Sequence, residues 1–278
     1  MFRYTRKSLA LETVVFVFGL ALMIPFYFLV NISLKTDDDA LVSSSVAPPN
    51  PLSGSAYGTA FLGQDTRNIP LGLLNSAIIT VGALIVLIAL GSITAYSLDR
   101  LMGRWSNLVR GVFFLAVLLP TQLGVIPVYV IMRQTGLAGT HVGMIILYSA
   151  QLMPLAVFLY SGFVRSVPRE YEEAAQIDGS GRFNTFVRIV FPLLSPATGT
   201  VAIMCGLIVW NDFFNALIFM SGSPNATVPV VVYGFVGTQM TNWNVVFAAV
   251  VLAMLPALVF YLIAQKKFIQ GFAGGIKS

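Results

Sequence analysis

The chain has 278 residues, of which 57% are hydrophobic and 10% are charged. Soluble domains carry about 25% charged residues, so this composition excludes a soluble globular protein and places most of the chain in lipid. The net charge of +5 does not indicate nucleic-acid binding, because the basic residues flank apolar stretches instead of forming one face. A single cysteine, Cys205, excludes an internal disulfide and a cysteine-based metal site.

The apolar stretches predict six membrane-spanning helices, since a span needs about 20 apolar residues. The first stretch is uncharged from Thr13 to Leu34. It is longer than the roughly 7–15 apolar residues of a cleaved signal peptide, so we predict a retained transmembrane helix. The six predicted spans cover approximately 12–34, 72–98, 108–132, 143–164, 193–220 and 244–264.

Three segments between or within these spans carry further predictions. The segment 35–71 is too short for a domain with its own core, and we predict a solvated loop. Gln122 lies between Pro120 and Pro127, which predicts a broken helix whose backbone polar groups need a cavity or protein neighbours. The apolar segment 228–236 is too short to span, and we expect it to pack at the outer face.

The lysines and arginines predict the orientation. Six spans place both termini and the loops 99–107 and 165–192 on one side of the membrane. Of the 16 lysines and arginines, Lys35, Arg67 and Arg133 alone fall on the other side. Basic residues concentrate in cytoplasmic loops, so we expect both termini and the 165–192 loop to be cytoplasmic.

The segment 168–190 is charged and compact, although it lies between two predicted spans. Pro168 suits the first turn of a helix, where its missing N–H costs nothing. Three glutamates follow, and negative charge is favoured near a helix N-terminus. Asp178-Gly179 then supplies a turn that can end the helix in a left-handed conformation. Pro192 is predicted to end the whole element.

A second helix is predicted after this turn, with one apolar face made by Phe183, Phe186, Val187 and Val190. The result is a two-helix hook at the membrane surface. A plain interfacial anchor is the alternative, but such anchors tend to be basic. The acidic seam Glu173-Ala174-Ala175 allows another surface to approach the backbone closely. The residues therefore favour docking of a soluble partner.

The same segment resembles the signature of importer-type ABC transporter permeases. Glu173-Ala174-Ala175 is followed after three residues by Gly179, after nine more by Ile189, and then by Pro192. Phe191 stands where that signature has leucine. The flanking sequences VPREYEEAAQIDG and FPLLSPA, together with WNDFFNALIF at 210–219, resemble the carbohydrate-importing branch, of the maltose permease G-subunit type. The resemblance covers roughly residues 10–278.

The resemblance implies an all-α integral membrane protein of a bacterial or archaeal plasma membrane, with the importer-type ABC permease fold. Residues 1–278 would form one transmembrane domain, with an N-terminal helix at 12–34, core spans within 72–264 and cytoplasmic coupling helices at 168–190. The implied partners are a second permease subunit, two ABC ATPase subunits, an extracytoplasmic solute-binding protein, a sugar and the lipid bilayer. No nucleic acid is implied.

The resemblance assigns coupling to the ATPase to one set of residues: Glu172, Glu173, Ala174, Ala175, Asp178, Gly179, Arg182 and Phe183. The chain has no G-x-x-x-x-G-K-[ST] motif for ATP phosphates. We therefore expect ATP to be bound by the ATPase subunits, and this chain to hold no cofactor and to be no enzyme.

Asp212 is the acid within the fifth predicted span, and an ionisable residue there indicates a functional role. It could line the translocation path, contact a sugar, or serve as a structural hydrogen-bonding group between helices. These three interpretations stay open. The candidate path residues are Asn75, Gln122, Gln151, Asn211, Asp212 and Asn215, and Ser76 and Tyr148 are further polar candidates.

Three other functions compete with sugar import. The same architecture could import glycerol-3-phosphate or another polar solute, although a phosphate would favour basic residues, which the spans lack. A secondary transporter would show internal repeats and ionisable relays. A membrane enzyme would need a catalytic constellation in the spans, and the single histidine, His141, lies in a predicted loop.

Overall fold

The computed structural model describes residues 6–63, 68–101, 103–236 and 242–274. Arg3, Arg67 and Lys277, which were counted in the orientation argument, lie outside these ranges. In the described ranges the regular elements are helical. The chain divides into two compact units, one made of Met1–Pro70 with Val231–Leu258 and the other of Leu71–Val230 with Val259–Ser278.

The helices in chain order are α1 (Arg6–Ser33), α2 (Asp37–Val42), α3 (Ser55–Leu62), α4 (Ile69–Arg100), α5 (Ser106–Leu118), α6 (Val125–Gln134), α7 (His141–Ser166), α8 (Glu170–Ile177), α9 (Arg182–Thr185), α10 (Phe191–Leu193), α11 (Ser195–Asn211), α12 (Phe214–Met220), α13 (Val228–Gly234) and α14 (Trp243–Gly274). Short 3₁₀ turns cover Gly103–Trp105 and Thr121–Gly124, and a π-helical turn covers Phe186–Val190.

These helices lie at the predicted spans, but two of the spans are bent. Ser8–Ser33, Ile69–Arg100 and His141–Ser166 are single helices long and apolar enough to cross a membrane. Ser106–Leu118 and Thr121–Gln134 meet at 89°, which confirms the predicted break near Gln122. Arg182–Leu193 and Ser195–Asn211 meet at 72°, and α14 occupies the sixth predicted stretch.

The fifth predicted span, 193–220, is not one helix. It is interrupted at Asp212, whose backbone is extended (φ −70°, ψ 121°), and helix resumes at Phe214. The prediction of a continuous span was wrong because hydropathy does not register a polar residue that ends one helix and starts the next.

In the first unit, the segment after α1 is ordered by side chains that bind its backbone. Asn31 donates to the carbonyls of Ser45 (2.7 Å) and Ala47 (2.9 Å). Lys35 is buried and donates to the Ser43 hydroxyl and to the Ser44 carbonyl. The segment also contains α2 and α3, so it is not an irregular loop, although most of its described residues are exposed, as predicted.

In the second unit, α4, α7 and α11 enclose the main core. Tyr160, Leu87 and Val201 are fully buried within it. Small residues bring the helices close together, as membrane helix interfaces favour. A Cβ on Gly91 would lie 3.2 Å from the Cβ of Ala156, so α4 and α7 are almost in backbone contact there.

Gly143, at the start of α7, is a site where one added methyl group should destabilise the protein. Its Cβ would lie 2.1 Å from the carbonyl oxygen of Leu137, which is already bound by the Thr140 hydroxyl. We expect Gly143→Ala to cost about 1–3 kcal/mol, the usual range for overpacking. Thermal unfolding in detergent measures this effect. Gly162→Ala, in the same helix but with open space around it, is the matched control; equal melting temperatures for the two variants would contradict the prediction.

Candidate functional site

The turn that ends α8 has the geometry predicted from Asp178-Gly179. Gly179 has a φ of +82°, which favours glycine. The Ser180 N–H donates to the Ala175 carbonyl (2.9 Å), and the Gly179 N–H donates to that of Gln176 (3.0 Å). This pair of bonds is the Schellman motif. It satisfies the last carbonyls of α8 and sets the direction in which the chain continues.

The second helical segment of the element differs from the prediction at one point. Its helical run ends at Leu193, one residue after Pro192, and meets Ser195–Asn211 at 72°, so the element ends near Pro192 as predicted. The predicted single apolar face, however, is absent. Phe186 and Val190 are buried, whereas Phe183 is 73% exposed and Val187 is partly exposed. The π turn departs from the 3.6-residue period on which the prediction rested.

Glu172 is buried and bound by two side chains of α4. Its carboxylate accepts hydrogen bonds from the Tyr96 hydroxyl (2.9 Å) and from Nε of Arg100 (2.8 Å). The side chains of Arg100 and Glu172 are 9% and 8% exposed. Nη2 of Arg100 also donates to the carbonyls of Val164 (2.9 Å) and Val167 (2.6 Å) at the end of α7. One ion pair thus connects α8, α4 and α7.

Asp99, the neighbour of Arg100, makes a second set of connections. Its carboxylate accepts from Nη2 of Arg110 in α5 (2.9 Å) and from Nε of Arg165 in α7 (3.0 Å). Sequence reasoning missed these roles, since it counted the arginines for orientation alone. The available signal was an Asp-Arg pair placed where the apolar stretch of α4 ends.

The predicted coupling residues divide into inward-facing and outward-facing groups. Glu172 and Ala175 are buried within the second unit, to which α8 itself belongs. Their role in coupling stays a prediction; in the structure Glu172 attaches α8 to α4. Glu173, Ala174, Asp178, Gly179, Arg182 and Phe183 are exposed. Two apolar side chains that the sequence did not single out, Tyr171 (53% exposed) and Ile177 (85%), join them. We call these eight exposed residues the outer face of the element.

Asp212 joins three segments of the second unit. One carboxylate oxygen accepts from the backbone N–H groups of Asn215 (3.0 Å) and Ala216 (3.2 Å), and so caps the start of α12. The same oxygen accepts from the Tyr148 hydroxyl in α7 (2.8 Å). The other accepts from the Asn215 amide (3.2 Å). Both oxygens of the carboxylate therefore accept hydrogen bonds from within the chain.

Gln151 and Asn215 exchange two long hydrogen bonds of 3.5 and 3.4 Å beside this carboxylate. Asn211 is exposed at the end of α11 and donates to the Leu207 carbonyl (2.8 Å). The structure thus brings four of the six candidate path residues to one region with Tyr148. We call Tyr148, Gln151, Asn211, Asp212 and Asn215 the polar cluster.

The remaining two candidates lie elsewhere. Asn75 binds Nε2 of His141 (2.8 Å) and donates to the carbonyls of Pro224 (3.3 Å) and Ala226 (3.1 Å). These bonds fasten the loop after α12 to α4 and α7. Gln122 is exposed in the 3₁₀ turn between α5 and α6.

The family model for the inner membrane component of binding-protein-dependent transport systems matches residues 87–273. The chain belongs to this family. The matched range includes the 168–190 element and all of the polar cluster. The family predicted from the Glu-Ala-Ala signature is thereby confirmed.

Two curated relatives are similar along almost the whole permease. The melibiose/raffinose/stachyose import permease protein MelC of Bacillus subtilis (strain 168) is 37% identical over 253 residues, which cover 91% of this chain and 90% of MelC. The multiple sugar-binding transport system permease protein MsmG of Streptococcus mutans is 32% identical, with 92% of each chain covered. The predicted resemblance to sugar-import permeases is confirmed.

The permease also shares its fold with a solved structure. A chain of a bacterial ABC transporter involved in the import of the acidic polysaccharide alginate superposes with a TM-score of 0.82 at 19% identity. The match covers 96% of this chain and 99% of that chain. The predicted all-α importer-type fold is confirmed.

Proposed function

We propose that this permease is one of two membrane subunits of an ATP-driven importer for a sugar or an oligosaccharide, and that the 168–190 element couples it to ATPase subunits. The observation that carries the proposal is the division of this element into an exposed face and a buried attachment. An exposed patch of apolar and acidic side chains is typical of an interaction site. Its buried side is bonded to helices long enough to span a membrane.

The orientation of the importer follows from charge. The loops expected beside the ATPase carry most of the lysines and arginines. We therefore place the 168–190 element and both termini in the cytoplasm, where ATP is available. ATP is bound by the ATPase subunits, and a binding protein delivers the solute from the opposite side.

The polar cluster supports a sugar as the solute. Sugar hydroxyls donate and accept hydrogen bonds, and the amides of Gln151 and Asn215 offer both functions. Their mutual bonds of 3.4 and 3.5 Å are long, so exchanging them for bonds to a solute costs little. The residues that make up the cluster include no lysine or arginine, which a phosphate would favour. Glycerol-3-phosphate is therefore the weaker candidate.

Affinity purification of the permease in mild detergent tests the architecture. We expect a second permease and an ABC ATPase to co-purify, and ATP to bind to the ATPase chain. Recovery of the permease as a stable single-chain protein that takes up solute along an ion gradient without ATP would contradict the proposal. Uptake of labelled raffinose and melibiose into vesicles that contain the assembled complex then tests the solute class.

A further inference from the structure

The attachment of α8 to the rest of the protein depends on very few groups. Of its eight residues, Glu172 and Ala175 are the buried ones. A helix this short has little stability of its own, because nucleation is costly. Burial of one alanine contributes little apolar area. The hydrogen-bonded carboxylate of Glu172 is therefore the principal link between α8 and the helices beneath it.

The hydrogen bonds of this link also fix the orientation of the Glu172 carboxylate. Arg100 binds Glu172 through Nε and the carbonyls of Val164 and Val167 through Nη2, so its planar guanidinium has bonds in more than one direction. The Tyr96 hydroxyl holds the other oxygen of the Glu172 carboxylate. Tyr96 and Arg100 are four residues apart on α4 and lie on one helix face. The carboxylate is thus fixed at both oxygens by one rigid helix.

The buried ion pair of Arg100 and Glu172 is an inefficient way to stabilise the fold. Two buried charges lose their hydration, and apolar side chains of similar size often stabilise a protein as well or better. Apolar packing, however, allows neighbouring helices to slide, whereas short bonds to both oxygens fix the position and the angle of α8. The pair therefore suits the transfer of movement better than it suits stabilisation.

We propose that Tyr96, Arg100 and Glu172 form a rigid joint that makes α4 and the end of α7 follow every movement of α8, and that these positioning residues set how much solute is moved per ATP hydrolysed. The inference rests on the proposed function, because it takes the outer face as the place where the ATPase acts. α4 has 32 residues, so at 1.5 Å per residue it carries such a movement over about 48 Å.

Two neighbouring acids provide matched controls. Glu170 is an exposed acid in the first turn of the same helix. Asp99 is a buried acid that binds Arg110 and Arg165 but makes no ion pair or hydrogen bond with α8 among the described residues. Loss of the Asp99 carboxylate should lower stability without loosening α8. Glu170→Gln therefore shows the effect of removing an acidic charge from α8 by itself. Asp99→Asn shows the effect of lowering stability by itself.

The first experiment measures raffinose taken up per ATP hydrolysed by the reconstituted complex. We expect Glu172→Gln to lower this ratio about tenfold, since α8 then moves without carrying α4 with it. Arg100→Gln with Glu172→Gln leaves no unpaired buried charge, and it should lower the ratio equally. Glu170→Gln and Asp99→Asn should keep the wild-type ratio.

A wild-type ratio in the double variant would overturn the proposal. An equal loss of raffinose uptake and of ATP hydrolysis would also overturn it, because the ratio of the two would then be unchanged. A wild-type complex that neither hydrolyses ATP nor takes up raffinose would instead count against the proposed function.

The second experiment needs neither solute nor ATPase. Spin labels are placed at Ile177, which is 85% exposed, and at Leu101, just after α4, in a Cys205→Ala background. In the wild type we expect a narrow distribution of label distances. Glu172→Gln should broaden it, and Glu170→Gln should not. Equal widths in all three proteins would overturn the rigid joint even if the permease is an importer subunit.

Discussion

Glu173→Lys combined with Gly179→Pro is expected to leave the permease in the membrane and to abolish solute-stimulated ATP hydrolysis by its complex. Proline cannot adopt the φ of +82° found at Gly179. It also removes the N–H that binds the Gln176 carbonyl. The substitution destabilises the turn by about 3 kcal/mol or more. The equilibrium constant for correct folding of the element then falls about 100-fold.

Glu173→Lys acts on the outer face itself. Glu173 is exposed near the start of α8, where a lysine is disfavoured by the helix dipole. It also reverses the charge presented to a partner, and like charges across an interface weaken association. The separate variants show which of the two changes dominates. ATP hydrolysis by the reconstituted complex, with and without solute, is the measurement.

The control for this prediction is Gly181→Ala. Gly181 lies two residues after Gly179, with an ordinary φ of −70° and open space around its Cα. We expect this variant to keep normal activity. Wild-type stimulation of ATP hydrolysis by solute in the double variant would show that the element does not couple the permease to the ATPase.

Asp212→Ala is the second change with a large expected effect. It removes the cap of α12, which costs about 0.5–2 kcal/mol, and leaves the buried Tyr148 hydroxyl without its acceptor, which costs about 1–3 kcal/mol. We expect a lower melting temperature and loss of solute uptake. Asp212→Asn keeps a capping oxygen, so it should remain folded and take up solute several-fold more slowly.

The comparison of the two variants separates the interpretations of Asp212. Uptake and membrane level are measured for each, with Gly162→Ala, which lies in open space on α7, as a control outside the polar cluster. Normal uptake by Asp212→Asn would assign the residue to structure alone. Reduced uptake at a normal melting temperature would support a place on the translocation path.

The positions of the helices and turns could be predicted because they depend on local composition. Long apolar stretches predicted the positions of the spans, and Pro120 predicted the bend after α5. Gly179 predicted the turn after α8, since a left-handed residue is needed to end that helix. These signals require no knowledge of which helices are neighbours.

The details of the site depend on such knowledge. Glu172 and Glu173 are adjacent acids, and the sequence alone does not show which one faces inward. The answer depends on Tyr96 and Arg100, which lie 76 and 72 residues away from Glu172. The hydrogen bond that holds the Asp212 carboxylate against α7 likewise comes from Tyr148, 64 residues away.

The element at 168–190 also combines local and non-local effects. The apolar positions were recognised correctly, but the π turn places Phe186 against Tyr96, with ring centroids 5.0 Å apart, and leaves Phe183 exposed. A pattern search with the α-helical period cannot produce this division. The exposed residues Tyr171 and Ile177 were missed because the same search looks for apolar residues that become buried.

The central claim is that an ATPase in the cytoplasm acts on the outer face of the 168–190 element. The most direct measurement uses a cysteine at Ile177 in a Cys205→Ala background. We expect a membrane-impermeant maleimide to label it in inside-out vesicles and a short cross-linker to join it to the ATPase. Labelling from the external side of intact cells, with no cross-link to an ATPase, would contradict the account.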